Sequence, residues 1–372
     1  MKKTCNNKPV RVLYVNGGIM DLGGISSYMM NYFRNIDRRL VEIDFVVHGY
    51  EKGIYDDELC ATGATIYHVP VKSKDYKGNC QALAKIFEEG NYQIVHSHLD
   101  AGSYHILKIA KKCGIKIRIA HSHNTDFLTN SYVGRIINQW FKKKLPLVAN
   151  YRFACSSLAK EWLFGTTLDC EIVKNAIDLN KYQFSEQERK YFRTELGIEE
   201  DDIVLGHIGR FDYQKNHLFL LEIFSELVKK NERYKLLLIG DGFLREQIED
   251  MISAYQLESS VILAGYVQNA EKYYNVFDMF LLPSLFEGLG IVAIEAQANG
   301  LPCILADTVP EEAEVGANVF KIPLIESEWV QAIQQCPIER TDNVEDLINA
   351  GYDIKIEAKK LEKRYQDMDE RK

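Results

Sequence analysis

Residues 283–296 read Pro283-Ser284-Leu285-Phe286-Glu287-Gly288-Leu289-Gly290-Ile291-Val292-Ala293-Ile294-Glu295-Ala296. The apolar run Met279 to Leu282 precedes them. The stretch therefore reads as the exit of a buried strand, a glycine-bearing turn, and a helix beginning near Leu289 or Gly290. With that helix start, Glu287 sits in the loop before it and Glu295 about two turns along, so both carboxylates can face one ligand. Each can accept hydrogen bonds from vicinal hydroxyls. The plainer reading is a charge at a helix N-terminus plus an exposed mid-helix glutamate. Against it, Glu295 lies among Ile291, Val292, Ala293, Ile294 and Ala296, where a carboxylate is costly without a partner.

The same strand, turn and helix recur on both sides. Apolar, β-rich runs occupy Val10 to Val15, Ile43 to Val47, Thr65 to Val69, Ile94 to His96, Ile117 to Ala120 and Arg152 to Cys155. A second series occupies Ile203 to Ile208, Lys235 to Ile239, Val261 to Ala264, Met279 to Leu282, Cys303 to Leu305 and Val319 to Ile322. Such alternation predicts α/β domains with parallel sheets, and 372 residues suit two of them. The expected division is an N-terminal domain at 1–170, a C-terminal domain at 171–345, and a charged C-terminal helix at 346–372. The stretch Ser185 to Asp202 reads as a short solvated helix opening the second domain. In the last helix, Leu361 and Tyr365 stand at i, i+4 spacing for packing.

Hydrophobic residues make up 46% and charged residues 26%, the balance of a soluble globular protein. A net charge of −8 leaves no broad basic surface for tracking nucleic-acid phosphates, so nucleic acid is not an expected partner. No run approaches the roughly 18 apolar residues of a membrane span, and MKKTCNNKPV at the N-terminus lacks the apolar middle region of a signal peptide. A cytoplasmic location is expected. Cysteines at 5, 60, 80, 113, 155, 170, 303 and 336 form no CxxC pair, and several lie in apolar runs, as reduced buried thiols do.

Other chemistry-bearing residues cluster after predicted strands, where open parallel sheets bind ligands. Gly23-Gly24-Ile25-Ser26-Ser27 opens a helix. Glycines there let backbone N–H groups approach an anion at a helix N-terminus, although a flexible turn reads equally well. Neither GxGxxG nor GxxxxGK[ST] occurs, which weighs against dinucleotide and P-loop readings. His121-Ser122-His123-Asn124 follows a buried strand, and His96 and His98 follow the strand before it. An imidazole at such a place can hydrogen-bond a hydroxyl or stabilise developing charge. Its plainer role is to cap loop backbone. Four histidines invite a metal reading, yet alternation puts each pair's members on one side only within its own strand, so no metal is expected. Arg210 and Lys215, at the end of another strand, offer a fork and a point charge for phosphate oxygens. Gly240-Asp241-Gly242 reads as an ordinary turn with Asp241 capping.

Taken together, Gly23-Gly24-Ile25, Arg118 to Thr125, Asn175-Ala176-Ile177-Asp178, Gly209-Arg210 with Lys215, Gly240-Asp241-Gly242 and the E-x7-E pair Glu287 and Glu295 carry a resemblance. Over nearly the whole chain, the sequence resembles family 4 of the retaining glycosyltransferases, especially enzymes of bacterial capsule and exopolysaccharide assembly. The resemblance implies the GT-B architecture, two Rossmann-like parallel-sheet domains facing across a cleft. It implies a nucleotide diphosphate sugar, most commonly a UDP-sugar, held mainly by the C-terminal domain, and a glycan or lipid-linked acceptor bound by the N-terminal domain. Arg210 and Lys215 would lie on the diphosphate, Glu295 on the ribose and Glu287 on the transferred sugar. Gly23, Gly24 and Gly290 join the donor site, and His123, with His121 as the alternative, contacts the donor sugar. Attack on the same face, with no protein nucleophile and no cofactor or metal, is the implied course. Ala176 stands where the family often has glycine.

A sugar-nucleotide epimerase or phosphorylase on the same architecture, and a non-catalytic nucleotide-sugar-binding subunit, are the alternatives. The first lack their motifs here, and the second has less need of His123, Arg210, Lys215, Glu287 and Glu295 together. The segment Ile136 to Leu145, with Trp140, Lys142, Lys143 and Lys144, admits two readings. One is peripheral contact with the inner face of an anionic membrane carrying a lipid-linked acceptor. The other is an amphipathic helix packed on the sheet with a solvated lysine end.

Overall fold

The computed structural model describes residues 8–127, 129 and 131–371. Cys5 and the N-terminal MKKTCNN segment, read above for signals, lie outside them. The chain forms two compact units, one running up to Ala176 and taking in the segment from Ile354 onward, the other Ile177–Asp353.

In the first unit the strands are β1 (Val10–Val15), β2 (Val41–His48), β3 (Ile66–Val69), β4 (Ile94–Ser97), β5 (Ile117–Ser122), β6 (Tyr151–Ala154) and β7 (Glu171–Ile172). They pair in parallel in the order β3-β2-β1-β4-β5-β6-β7. The second unit has β8 (Ile203–Ile208), β9 (Tyr234–Ile239), β10 (Val261–Gly265), β11 (Met279–Leu282), β12 (Cys303–Ala306) and β13 (Val319–Ile322). Their order is β10-β9-β8-β11-β12-β13, again parallel. The expected two parallel-sheet α/β units are thus present. Central strands such as Leu236-Leu237-Leu238 are buried throughout, because helices cover both faces.

Both sheets reverse strand order beside their first strand, between β1 and β4 and between β8 and β11. At such a switch point the flanking loops diverge to opposite faces and leave a crevice at the strands' carboxyl ends. Gly23 and Gly24 follow β1, His98 follows β4, Arg210 and Lys215 follow β8, and Glu287 follows β11.

The structure departs from the sequence reading at two places. Glu171–Ile172 adds an edge strand, too short for any periodicity. The C-terminal segment is two helices, Val344–Asn349 and Ile354–Glu370, interrupted at Gly351, whose φ of +86° no α-helix contains. The longer helix begins at Ile354, later than the expected 346. Its buried positions Ile354, Ala358, Leu361, Tyr365 and Met368 recur every three or four residues and join Tyr14, Phe45 and Phe153 in one core cluster. Where the chain enters and leaves the second unit, Ile177 and Asp353 form a parallel bridge.

Cys155, Cys170 and Cys303 are buried, whereas Cys60 is exposed. Among the described residues no helix is long and apolar enough to cross a membrane.

Candidate functional site

Strand β8 ends in a loop whose geometry is set by Asp212. One oxygen of its carboxylate accepts the Lys215 backbone N–H at 3.3 Å, capping a short turn, and the other accepts the Arg210 Nε–H at 2.9 Å. The turn hands over to helix His217–Lys230 through Asn216, which adopts a left-handed φ of +55°. The outcome is that Lys215 points at β11's loop. Its Nζ lies 2.6 Å from Glu287 Oε1.

Glu287 is buried and densely bonded. Ser284 Oγ donates to its Oε1 at 2.7 Å and Gln214 Nε2 to its Oε2 at 3.3 Å. Ser284 and Gln214 carried no mark in the sequence reading, although Ser284 stands three residues before Glu287. The helix that follows is Ile291–Ala298, and Gly290 precedes it with φ of +82°. A Cβ at Gly290 would be strained by that backbone and would come 3.2 Å from Leu282.

Glu295 lies on this helix, and the partner its apolar setting demands is a pair of tyrosines. Tyr274 Oη donates to one oxygen at 2.6 Å and Tyr182 Oη to the other at 3.0 Å. Burial pushes its carboxyl up to about 7, the tyrosine bonds and Lys215 offsetting part of the effect. Tyr182 and Tyr274 come from distant parts of the sequence, which is why the spacing analysis missed them.

The Gly240-Asp241-Gly242 turn corrects an expectation. Asp241 Oδ1 accepts the Gly242 N–H at 2.7 Å, but helix Arg245–Ala254 starts four residues later, so Asp241 does not cap it. A Cβ on Gly240 would meet Gly209 O at 2.0 Å. Glycine there allows the β9 and β8 loops to press backbone to backbone.

In the first unit, helix Gly24–Asn35 begins with Gly23 as its capping residue and no side-chain cap. Asp21 Oδ1 accepts the Gly23 N–H and the Ser26 hydroxyl, each at 3.0 Å. A carboxylate thus already holds the Gly23 amide, one of those assigned above to an anion, and leaves the Gly24 amide as the one for such a contact. Four residues on, Tyr28 covers the rings of His98, His121 and His123 at centroid distances of 5.5, 5.1 and 5.1 Å.

Those histidines form one buried layer with His96. The alternation argument that separated the two pairs fails because β4 and β5 run parallel in register, His96 opposite Ile119. Every second residue of both strands therefore points to one face. His96 Nε2 meets His121 Nδ1 at 3.1 Å, and His98 Nδ1 meets His123 Nε2 at 2.9 Å. Ligand atoms of His96, His98 and His121 all lie within 4.8 Å of one another, and the 3.1 Å contact joins two of the rings directly. Tyr365, from the last helix, bonds His96 Nδ1 at 2.7 Å and Tyr14 Oη at 3.0 Å. Burial drives all four imidazoles below their ordinary range, His123 to about 3, so they are neutral at pH 7.

The loop carrying His123 is anchored by Asp100, also missed from sequence. Its Oδ1 accepts the His123 N–H at 2.6 Å and its Oδ2 the Asn124 Nδ2–H at 2.9 Å. Asp100 itself holds a left-handed φ of +47°, a conformation Asp tolerates better than most residues.

The structure thus links Arg210, Lys215 and Glu287 through Asp212, and joins His123 to His98, His121 and Tyr28. Glu295 sits with its tyrosines, near enough to Lys215 to feel its charge. A buried cation–carboxylate pair, further carboxylate and exposed guanidinium at one switch point can hold a diphosphate and polar hydroxyls together.

Residues 188–335 match the family described as Glycosyl transferases group 1. EpsF of Bacillus subtilis, a protein named as a glycosyltransferase, is 32% identical over 364 residues, 94% of each chain. The UDP-Gal:alpha-D-GlcNAc-diphosphoundecaprenol alpha-1,3-galactosyltransferase of Escherichia coli is 24% identical over 77% of this chain and 78% of its own. Among solved structures, HepE of Anabaena in complex with UDP-glucose superposes with a TM-score of 0.77 at 17% identity, covering 96% of this chain and 99% of that one. That likeness shows the GT-B fold.

Proposed function

Because the chain belongs to the group 1 glycosyltransferases, we propose that it transfers a sugar from a UDP-sugar to a glycan or lipid-linked acceptor in polysaccharide assembly. Anomeric configuration is retained and no metal takes part. The observation that carries the reading is the Lys215–Glu287 pair, 2.6 Å long, at the switch point of the second sheet.

In this proposal the C-terminal unit holds the donor. Arg210, whose guanidinium is half-exposed, and Lys215 take the diphosphate oxygens and stabilise the charge that develops as the glycosidic bond breaks. Lys215 is shared with Glu287, so the carboxylate both aims the cation and accepts hydrogen bonds from the transferred sugar. Glu295, placed by Tyr182 and Tyr274, takes the ribose hydroxyls, and Gly290 opens the helix whose first amides face the donor. The N-terminal unit holds the acceptor. His123, neutral and a donor or acceptor as its tautomer requires, contacts the transferred sugar, and Gly24 offers a backbone donor to the diphosphate. The leaving phosphate removes the acceptor proton, so no side chain serves as a general base. The work is done in the cytoplasm, with peripheral contact to the inner membrane face through Trp140, Lys142, Lys143 and Lys144.

Support comes from the Escherichia coli relative, named as a galactosyltransferase that uses UDP-Gal on a diphosphoundecaprenol acceptor, and from HepE's complex with UDP-glucose. The test is a thermal-shift screen of nucleotide sugars in EDTA, followed by an assay of slow donor hydrolysis. A UDP-sugar at about 100 times its Kd stabilises the fold by about 2.7 kcal/mol. No shift with any nucleotide sugar, or a shift that chelation abolishes, overturns the proposal.

A further inference from the structure

A cavity of about 340 Å³ opens in the first unit between the starts of β6 and β7 and the end of helix Ile354–Glu370. Asn150 and Tyr151 border it where β6 begins, and Glu171 where β7 begins. The strands of this sheet are parallel, and His98 and His123 follow the carboxyl ends of β4 and β5. The cavity therefore lies at the opposite end of the strands from the histidine loops. Its size falls in the range of small-ligand sites, roughly 300–1,000 Å³.

The lining carries three guanidinium groups, from Arg152, Arg364 and Arg371, and three carboxylates, from Asp169, Glu171 and Asp367. Arg364 Nε is paired with Glu171 Oε1, and Arg152 Nη1 donates to the Asp169 backbone carbonyl at 3.3 Å. Two donors remain. Arg152 Nε and Arg364 Nη1 are shut off from solvent and have no hydrogen-bond partner among the described residues. An unpaired buried N–H on a charged group is costly, and an arriving ligand oxygen removes that cost.

Charge selects the ligand. The positive and negative groups of the lining balance, so a phosphate that reached the guanidinium donors would also meet the repulsion of Asp169 and Asp367. A hydroxyl suits both kinds of partner, because its oxygen accepts from an N–H while its hydrogen goes to a carboxylate. The half-buried Tyr151 adds an aromatic ring to the same lining, apolar enough for the C–H groups of a sugar.

We propose that this cavity binds a neutral hexose unit of a glycan, as a second carbohydrate site apart from the reacting end. Arg152 and Arg364 donate to its hydroxyl oxygens, and Asp169 and Asp367 accept from its hydroxyl groups. The inference rests on the polysaccharide reading for its purpose, to hold a chain of several sugars, while its evidence is the cavity alone. An occupant also bears on the histidine layer, since Arg364 is followed by Tyr365, whose hydroxyl bonds His96 Nδ1 at 2.7 Å.

The test uses the full chain in excess UDP, titrated with the methyl glycosides of glucose, galactose, mannose and N-acetylglucosamine and, separately, with inorganic phosphate. Saturation-transfer NMR reads the sugars and phosphorus line width reads the anion. The expected result is binding of at least one glycoside, with hydrogen exchange slowed in residues 150–153 and 361–368. Arg152→Gln weakens that binding about tenfold, the scale for one hydrogen bond to a charged group. Asp367→Asn, at a half-buried helix position, does the same without touching β6, should the first variant disturb the strand. His123→Ala leaves glycoside binding unchanged, and the UDP-induced thermal shift is unchanged in both cavity variants. Absence of binding by all four glycosides, binding that survives both cavity variants, or protection confined to the loops after β4 and β5 overturns the proposal. So does phosphate binding without glycoside binding, which assigns the cavity to an anion. Glycoside binding here by a chain that ignores nucleotide sugars leaves this inference standing and removes the donor reading. A response to nucleotide sugars without glycoside binding does the reverse.

Discussion

Lys215 Nζ stands 2.6 Å from Glu287 Oε1, both side chains largely sealed from solvent, at 14% and 7% exposure. The two residues are 72 positions apart and reach each other because β8 and β11 are neighbours in the sheet. A pair this enclosed tolerates the loss of both partners better than the loss of one, since a lone charge would remain buried.

Lys215→Ala and Glu287→Ala should each abolish most turnover and also destabilise the second unit by about 3–5 kcal/mol, the scale for breaking a buried pair. The double variant should cost less than the sum, with a coupling of about 1–3 kcal/mol. Urea denaturation of the four proteins measures it. Wild-type turnover in either single variant would remove the pair from the donor site.

Glu295 makes stability fall with rising pH in one window. Its carboxyl sits at about 7 in the fold against an ordinary 4.5, so between those values the folded protein holds a proton that the unfolded chain has released. Folding is therefore favoured by this group below about 4.5, and the contribution disappears as pH climbs to about 7. Glu295→Gln, always neutral, should flatten that segment of the stability profile. An unchanged slope in the variant would mean that Glu295 ionises normally.

The histidine layer acts in the opposite sense. His96, His98, His121 and His123 are held below their ordinary range by burial, so unfolding lets them take up protons near pH 6.5. Their contribution is complete above that pH and is lost as pH drops, at about 1.4 kcal/mol per pH unit for each proton. Urea midpoints should thus fall steeply from pH 6.5 to 5, and replacing His121 with Phe should make the fall shallower. Equal slopes would contradict the burial of these rings.

Asp100 supports His123 through the backbone, which separates positioning from packing. Asp100→Ala removes both hydrogen bonds and places alanine at φ of +47°, costing about 1–3 kcal/mol for the unsatisfied loop groups. If His123 contacts the transferred sugar, Asp100→Ala should lower kcat at least tenfold with a smaller change in KM for acceptor. Asp100→Asn, which keeps the tolerated backbone and one acceptor oxygen, should recover part of the loss. A stability change with unaltered kcat would confine Asp100 to holding the loop.

Much of the fold was legible because its signals are local. Strand runs such as Met279 to Leu282 and Ile203 to Ile208 match the observed β11 and β8 to the residue, since a strand buried on both faces must be continuously apolar. Glycine turns and the helix after Gly290 were legible for the same reason. Glu171–Ile172 escaped because two residues carry no period, and the last helix was drawn too early because Gly351 interrupts a charged pattern without changing its composition.

What the sequence determined by itself was the set of strands and helices, and the candidates Arg210, Lys215, Glu287 and Glu295 on the loops that follow them. Each of those depends on neighbours a few residues away, through apolar period and turn chemistry. Only the tertiary structure decided which strands lie side by side, and so that Lys215 meets Glu287, that Glu295 takes Tyr182 and Tyr274, and that four histidines share one face. Strand order in a parallel sheet is set by crossover packing over tens of residues, and a side chain's partner across it leaves no mark in the spacing on either strand.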